Sequence, residues 1–216
     1  MDVLSEQLFA LSQAGAQIQT ASSLQETLER ITHAARGILR AHQAVTSLTT
    51  GDDWAQAIQC VSLSDKYAAW RDYTGTPDGS GIYAYLCREN RPMRLSQAEL
   101  EAHPAFRGFG TERTRHPPMR GWLAAPLVGQ GGRNLGLVQL SDRETGEFTA
   151  EDETLLILLA QFASVAIENI RALDSARDAE ADRAQHPEGP AQPLPRPRVA
   201  EHHHRADRKG HEAEAA

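Results

Sequence analysis

Cysteine, lysine and long apolar runs are all scarce in this chain. Of 216 residues only two are cysteine, Cys60 and Cys87, and they do not form a CxxC pair. That excludes a disulfide framework and the common four-ligand zinc motifs. It fits a reducing compartment, so a cytoplasmic location is expected. Lysine occurs only as Lys66 and Lys209; the other basic residues are arginines scattered along the chain without interleaved aromatics. With a formal net charge of −7, this argues against nucleic acid as a partner. The longest apolar block, residues 155–167, is broken by Gln161 and Ser164 and is shorter than the ~20 residues that cross a bilayer. The start, Met1-Asp2-Val3, lacks the basic and apolar regions of a signal peptide. No membrane insertion is expected.

What is present is enough for one globular domain: 216 residues at 40% hydrophobic content support a real core with a short appendage. Leu4, Leu8, Leu11, Gly15 and Ile18 recur at intervals of four and three, a helical stripe close to a coiled-coil seam. Ser23 followed by Glu26 is a capping-box pattern. It opens a second helix to about residue 40 with Leu24, Leu28, Ile31, Ala35 and Leu39 on one face. Residues 44–50 and 55–63 read as strands joined by Gly51-Asp52-Asp53. Regularity is lost over 64–120. Tyr67, Trp70 and Tyr73 come in quick succession there, with short helices expected at 82–89 and 97–103, a short strand at 93–95 and a long loop over 107–120.

From residue 121 the pattern sharpens. Residues 122–128 form an apolar strand whose Pro126 places it at a sheet edge, a strand start or a bulge. Gly129, Gly131 and Gly132 are expected to supply the positive φ values of a hairpin. The return strand, 135–140, has Leu135, Leu137 and Gln139 on one face and Val138 and Leu140 on the other. Thr149 stands three residues before Asp152, a helix start with Glu151 and Glu153 suited to the dipole. Beyond residue 181 five prolines crowd into positions 187–197 and large aliphatics almost vanish, so disorder is expected. The divisions are therefore an N-terminal helix over 1–22, a domain over 23–173, and a helix extension with a disordered Pro-rich tail over 174–216.

The succession of a glycine turn, LGLVQLSD, GEFTAEDE and LAQFASVAIEN resembles the C-terminal half of GAF domains, small sensory modules of bacterial signalling proteins. The likeness extends back through HPPMRGWLAAPL and RPMRLSQAELEAHPAFRGF to cover roughly residues 5–173, and is closest to the variant found in front of histidine kinase cores. The resemblance implies an α+β fold: a central antiparallel sheet of five or six strands, terminal helices on one face, loops and short helices on the other. It also implies a ligand pocket between the sheet and residues 64–120. Trp70, Tyr83, His116, Arg120 and Trp122 are the candidates for lining it, being aromatic or polar groups of the irregular half.

Catalytic and cofactor motifs of the family match poorly. Phe148-x3-Asp152-Glu153 repeats the second half of a pattern found in cyclic-nucleotide-binding members, but Asp142-Arg143 replaces its Asn-Lys. The expected roles are structural: Phe148 packs, Asp152 caps and Glu153 complements the helix dipole. Cys87 precedes Arg88 rather than the histidine typical of bilin attachment. The two cysteines do not form the cluster of methionine sulfoxide reductases. His202-His203-His204 in the tail is not a defined metal site, and the cofactor, if any, is unidentified. A kinase core is excluded, because Asn90, Asn134 and Asn169 are the only asparagines and no GxG follows residue 170.

The expectation is a non-catalytic sensory or regulatory module that binds a small molecule, forms a homodimer and modulates a histidine-kinase-type partner. The alternative is a haem- or other cofactor-binding protein, or an enzyme of the same family. The dimer seam is expected to combine Leu4, Leu8, Leu11 and Ile18 with Leu155, Leu159, Phe162, Ala166 and Leu173 of the terminal helix.

Overall fold

The structure is a computed structural model that describes residues 3–50, 55–71, 81–106 and 116–185. By contact density the chain divides into Met1–Asp178 and Ala179–Ala216; of the second unit, residues 179–185 are described, as helix. The elements run α1 (Val3–Gln19), α2 (Leu24–Ile38), β1 (Ala41–Thr50), β2 (Ala55–Leu63), a 3-10 segment (Asp65–Trp70), α3 (Gly81–Glu89), β3 (Met93–Leu95), α4 (Gln97–Ala102), β4 (Trp122–Val128) and β5 (Asn134–Arg143). The last is α5 (Ala150–Gln185). Five antiparallel strands pair in the order β2-β1-β5-β4-β3. The fold is the expected α+β arrangement, with five strands. The sequence predicts disorder beyond residue 181, yet residues 182–185 continue α5; the rest of that tail lies outside the described residues, as do Tyr73 and most of the loop expected over 107–120.

Two apolar clusters sit on opposite faces of the sheet. The larger joins α1, α2 and α5 through Ile18, Leu28, Ile31, Leu156 and Ile167 to Leu48, Leu123, Val138 and Leu140. The smaller joins Ile82 and Leu86 of α3 and Leu100 of α4 to Trp122, Ala124 and Leu137. Alternation along β4 and β5 makes this possible, since successive side chains point to opposite faces. Leu135 breaks the alternation. It belongs to the helix-side cluster, not with Leu137 as the sequence suggests. The reason is a register shift opposite Leu127/Val128, centred on Gly136 at φ +147°. Truncating any fully buried leucine of these clusters to alanine costs about 2–5 kcal/mol.

Pro126 lies on β4 beyond the reach of β3, which pairs only as far as Ala124. The strand is an edge at that point, so the missing N–H is tolerated. In the hairpin, Gly131 and Gly132 have φ +72° and +81°, whereas Gly129 is extended at φ −83°. Helix starts are set by side chains. Ser23 Oγ accepts from Glu26 N–H, but the Glu26 carboxylate reaches back to Ser22 N–H and Oγ rather than to Ser23. At α5 the box is complete: Asp152 N–H donates to Thr149 Oγ1 at 3.2 Å and Thr149 N–H donates to Asp152 Oδ2 at 2.9 Å.

α5 contains an 18-residue window of mean hydropathy 1.5, of which half is buried. Its apolar side chains pack on the sheet and on the other two long helices, which accounts for the composition. From Ala172 to Gln185 every residue is exposed.

Candidate functional site

One group of buried polar side chains lies at an end of the sheet. Gln43 on β1 pairs with Ser141 on β5, and Gln139 pairs with Ala124 on β4. Gln43, Gln139, Ser141 and Asp142 are all nine-tenths or more buried, and each has a partner, as buried polar groups require. Gln43 Nε2 donates to Pro118 O at 2.7 Å. Trp122 Nε1–H donates to Gln139 Oε1 at 2.8 Å. Ser141 Oγ accepts from Arg120 N–H at 2.8 Å and donates to Gly121 O at 3.0 Å.

Asp142 is the centre of this tier. Its backbone has φ +60° and its N–H donates to Arg120 O at 2.8 Å. Its Oδ2 accepts from Tyr67 O–H at 2.6 Å and from Lys66 Nζ at 2.5 Å. Lys66 also lies 5.5 Å from the Tyr67 ring centre, and His42 and Trp70 stand edge-on to that ring at 6.3 and 5.6 Å. Burial, followed by the bond to Asp142, pushes the Tyr67 hydroxyl up to about 12. The phenol is held as a donor, and the carboxylate oxygen accepts from both Tyr67 and Lys66.

The five pocket candidates divide into two groups around this tier. Tyr83 is half-buried, 6.1 Å from the Trp122 ring, with its hydroxyl 3.6 Å from Met119 Sδ. Trp122 itself is fully buried and its N–H is committed to Gln139, so it serves as the wall of the core rather than as an open contact. Trp70 is half-buried against Tyr67. His116 is half-buried, its Nδ1 donating to Pro117 O at 2.6 Å; burial lowers its pKa, partly offset by that bond. Arg120 is exposed, close enough to Tyr67 to favour its ionised form. Tyr67, Asp142, Lys66, Gln43 and Gln139 were not among the candidates. Tyr67 stood out only as one of three aromatics, and Asp142 only as a mismatch to a motif. Among the described residues no three His, Cys, Asp or Glu side chains converge as a metal site would require.

The terminal helices present a second feature. Leu4, Leu8, Phe162 and Leu173 are exposed, as are Phe9 and Val165. The other expected seam residues are internal: Leu11, Ile18, Leu155, Leu159 and Ala166 are at most 4% exposed and belong to the chain's own core. Spacings of three and four mark a buried face, and that face here meets the rest of the same chain. Phe162 lies over Gly15, where a Cβ would stand 3.1 Å from the ring, and Gln19 Nε2 donates to Phe162 O at 3.3 Å. An apolar groove of about 420 Å³ runs along this crossing, floored by Leu8, Leu11, Gly15 and Phe162.

The sequence model of the GAF domain matches residues 21–168. This chain belongs to the GAF domain family. The family comprises sensory and regulatory modules, and the fold agrees with that of solved members. The GAF domain of a phosphoenolpyruvate-protein phosphotransferase from Coxiella burnetii superposes with TM-score 0.64 at 20% identity, covering 80% of this chain and 98% of that one. Free methionine-R-sulfoxide reductase from Neisseria meningitidis, in complex with its substrate, gives 0.64 at 14%, covering 80% and 95%. The GAF domain of the cyanobacteriochrome TePixJ gives 0.54 at 13%, covering 72% and 95%. At such identities the likeness concerns the fold.

Within this GAF domain the Phe148–Glu153 motif is architectural. Phe148 is 4% exposed in the helix-side cluster. Asp152 caps α5 and lies 2.8 Å from Arg143 Nε, with the latter outside hydrogen-bond alignment. Glu153 does more than suit the dipole, since it pairs with Arg94 of β3 at 3.1 Å. Arg143, in the position that departs from the cyclic-nucleotide pattern, therefore ties the end of β5 to the start of α5.

Proposed function

We propose that this GAF domain is a non-catalytic sensory module that forms a homodimer through α1 and α5. It binds a small molecule on the α3 side of the sheet and modulates a signalling partner of histidine kinase type. The observation that carries this reading is the apolar groove between α1 and α5 lined by Leu8, Leu11, Gly15 and Phe162, with Leu4, Phe9 and Val165 also exposed on these helices. Scattered apolar residues are normal on a surface, but a contiguous groove between two helices suits helix–helix association. The polar tier around Tyr67 and Asp142, next to the aromatic pair Tyr83 and Trp122, has the composition of a small-molecule site: mostly apolar walls and a few fixed polar groups. A ligand with different affinity for two arrangements of the terminal helices would shift their populations. A cytoplasmic location goes with this reading.

Native mass spectrometry of the freshly purified full chain tests both parts together. The expected species is a dimer whose mass exceeds twice that of the polypeptide by a bound small molecule. A monomer at tens of micromolar overturns the dimer, and a dimer of bare polypeptide mass overturns a tightly held ligand. A Soret band would replace the proposed ligand with haem.

A further inference from the structure

The turn between β4 and β5 is held from both faces of the sheet. From α5, both oxygens of the Glu168 carboxylate accept from Gln130 N–H at 3.0 Å, with Arg133 Nη2 at 3.9 Å. Gly129 permits this approach, since a Cβ there would overlap Glu168 Oε1. From α3, the contact is Asn90, which ends that helix at φ +53°. Its Nδ2 donates to Gly132 O at 3.0 Å, and its Oδ1 accepts from Asn134 Nδ2 at 2.9 Å. Asn134 Oδ1 accepts from Thr49 Oγ1 at 2.8 Å, fixing the same corner to β1. The turn itself is short, closed by Gly129 N–H to Arg133 O at 2.8 Å and Gly132 N–H to Gly129 O at 3.2 Å.

We propose that this turn is a mechanical coupler from α3 to α5, running around the edge of the sheet. α3 carries Tyr83 beside Trp122, so a shift of α3 pulls on Gly132 through Asn90. The closed turn transmits that displacement to Gln130, whose N–H is the contact held by Glu168. A continuous chain of directional bonds through a compact turn is the kind of physical network along which two sites bias one another. Any such coupling is reciprocal, so a change at Glu168 must also be felt at α3. The coupler rests on the proposed ligand side only for its purpose; the bonds it consists of need no ligand.

Hydrogen–deuterium exchange on the ligand-free full chain tests it, comparing the wild type with Asn90→Gly and Glu168→Ala. Glycine accepts the positive φ at position 90, and alanine suits an α5 interior position, so both variants retain their backbone conformations. With Asn90→Gly, exchange is expected to rise about three-fold or more in the turn and in the α5 peptide containing Glu168. That threshold lies just below the couplings of roughly 5- to 150-fold typical between allosteric sites. With Glu168→Ala, the rise is expected in the α3 peptide, and α2 remains at its wild-type rate in both variants. A rise confined to the altered element, or a uniform rise that includes α2, overturns the coupler. Neither result bears on whether the purified protein holds a small molecule, so the two proposals fail separately.

Discussion

At the scale of single residues, Asp142 and Tyr67 are the most consequential pair in the molecule. The carboxylate is 6% exposed and depends on Tyr67 O–H and Lys66 Nζ for its partners. Tyr67→Phe removes one of them and is expected to lower stability by about 1.5–3 kcal/mol, the range for a hydrogen bond to a charged group. Urea denaturation measures it; a loss within error of zero would show that Lys66 and water suffice. The pH dependence follows from the upward shift to about 12. The folded protein keeps a proton that the unfolded chain releases near pH 10, so the stabilisation is complete below about pH 10. It is lost as pH rises through about 12. An absorbance titration of tyrosinate should show a step near pH 12 that disappears in Tyr67→Phe.

At the scale of elements, β5 and α5 are fixed by two features of different kinds. Gly136 sits at φ +147° on β5 directly against β1, where an added Cβ would strike Ser47 O and Leu48 Cα. Gly136→Ala is expected to cost more than about 3 kcal/mol, combining strain with lost pairing; a thermal melt within a few degrees of wild type would refute it. Asp152, 2% exposed, both caps α5 and faces Arg143. Asp152→Ala is expected to cost about 3 kcal/mol, since it removes a cap and leaves a half-buried arginine unpaired. Chemical denaturation would check this, and Asp152→Asn should recover the cap part alone. Both elements are legible in the sequence because their signals are local: an alternating strand, then Thr149 three residues before Asp152. The side on which Leu135 falls is not legible, because it depends on a register shift against β4. On α1 and α5 the intervals of three and four mark a buried helical face without saying what buries it; Leu11, Ile18, Leu155, Leu159 and Ala166 lie in the chain's own core.

At the scale of the whole molecule, the exposed apolar face of α1 and α5 should decide the assembly. Sedimentation velocity at tens of micromolar is expected to give a dimer, and the double variant Leu8→Glu with Val165→Glu a folded monomer. Both positions are about half exposed, 46% and 51%, so the charges weaken association without entering the core. A dimer that survives both charges would place the interface elsewhere. The family and layer order were readable from sequence because they follow from the order of elements. The polar tier was not. It draws Gln43, Lys66, Tyr67, Gln139 and Asp142 from separate segments, and only strand pairing brings them together.

Cys60 and Cys87 are 8% and 0% exposed, and burial raises the Cys60 thiol further from its reactive thiolate form. These are the chain's only cysteines, so the native surface offers no competing thiol to a maleimide or nitroxide reagent. One cysteine introduced on an exposed turn of α5 would carry a fluorophore or spin label at a single known position in an otherwise wild-type background. In the proposed dimer, distances between two such labels would then report how the terminal helices are arranged before and after a candidate ligand is added.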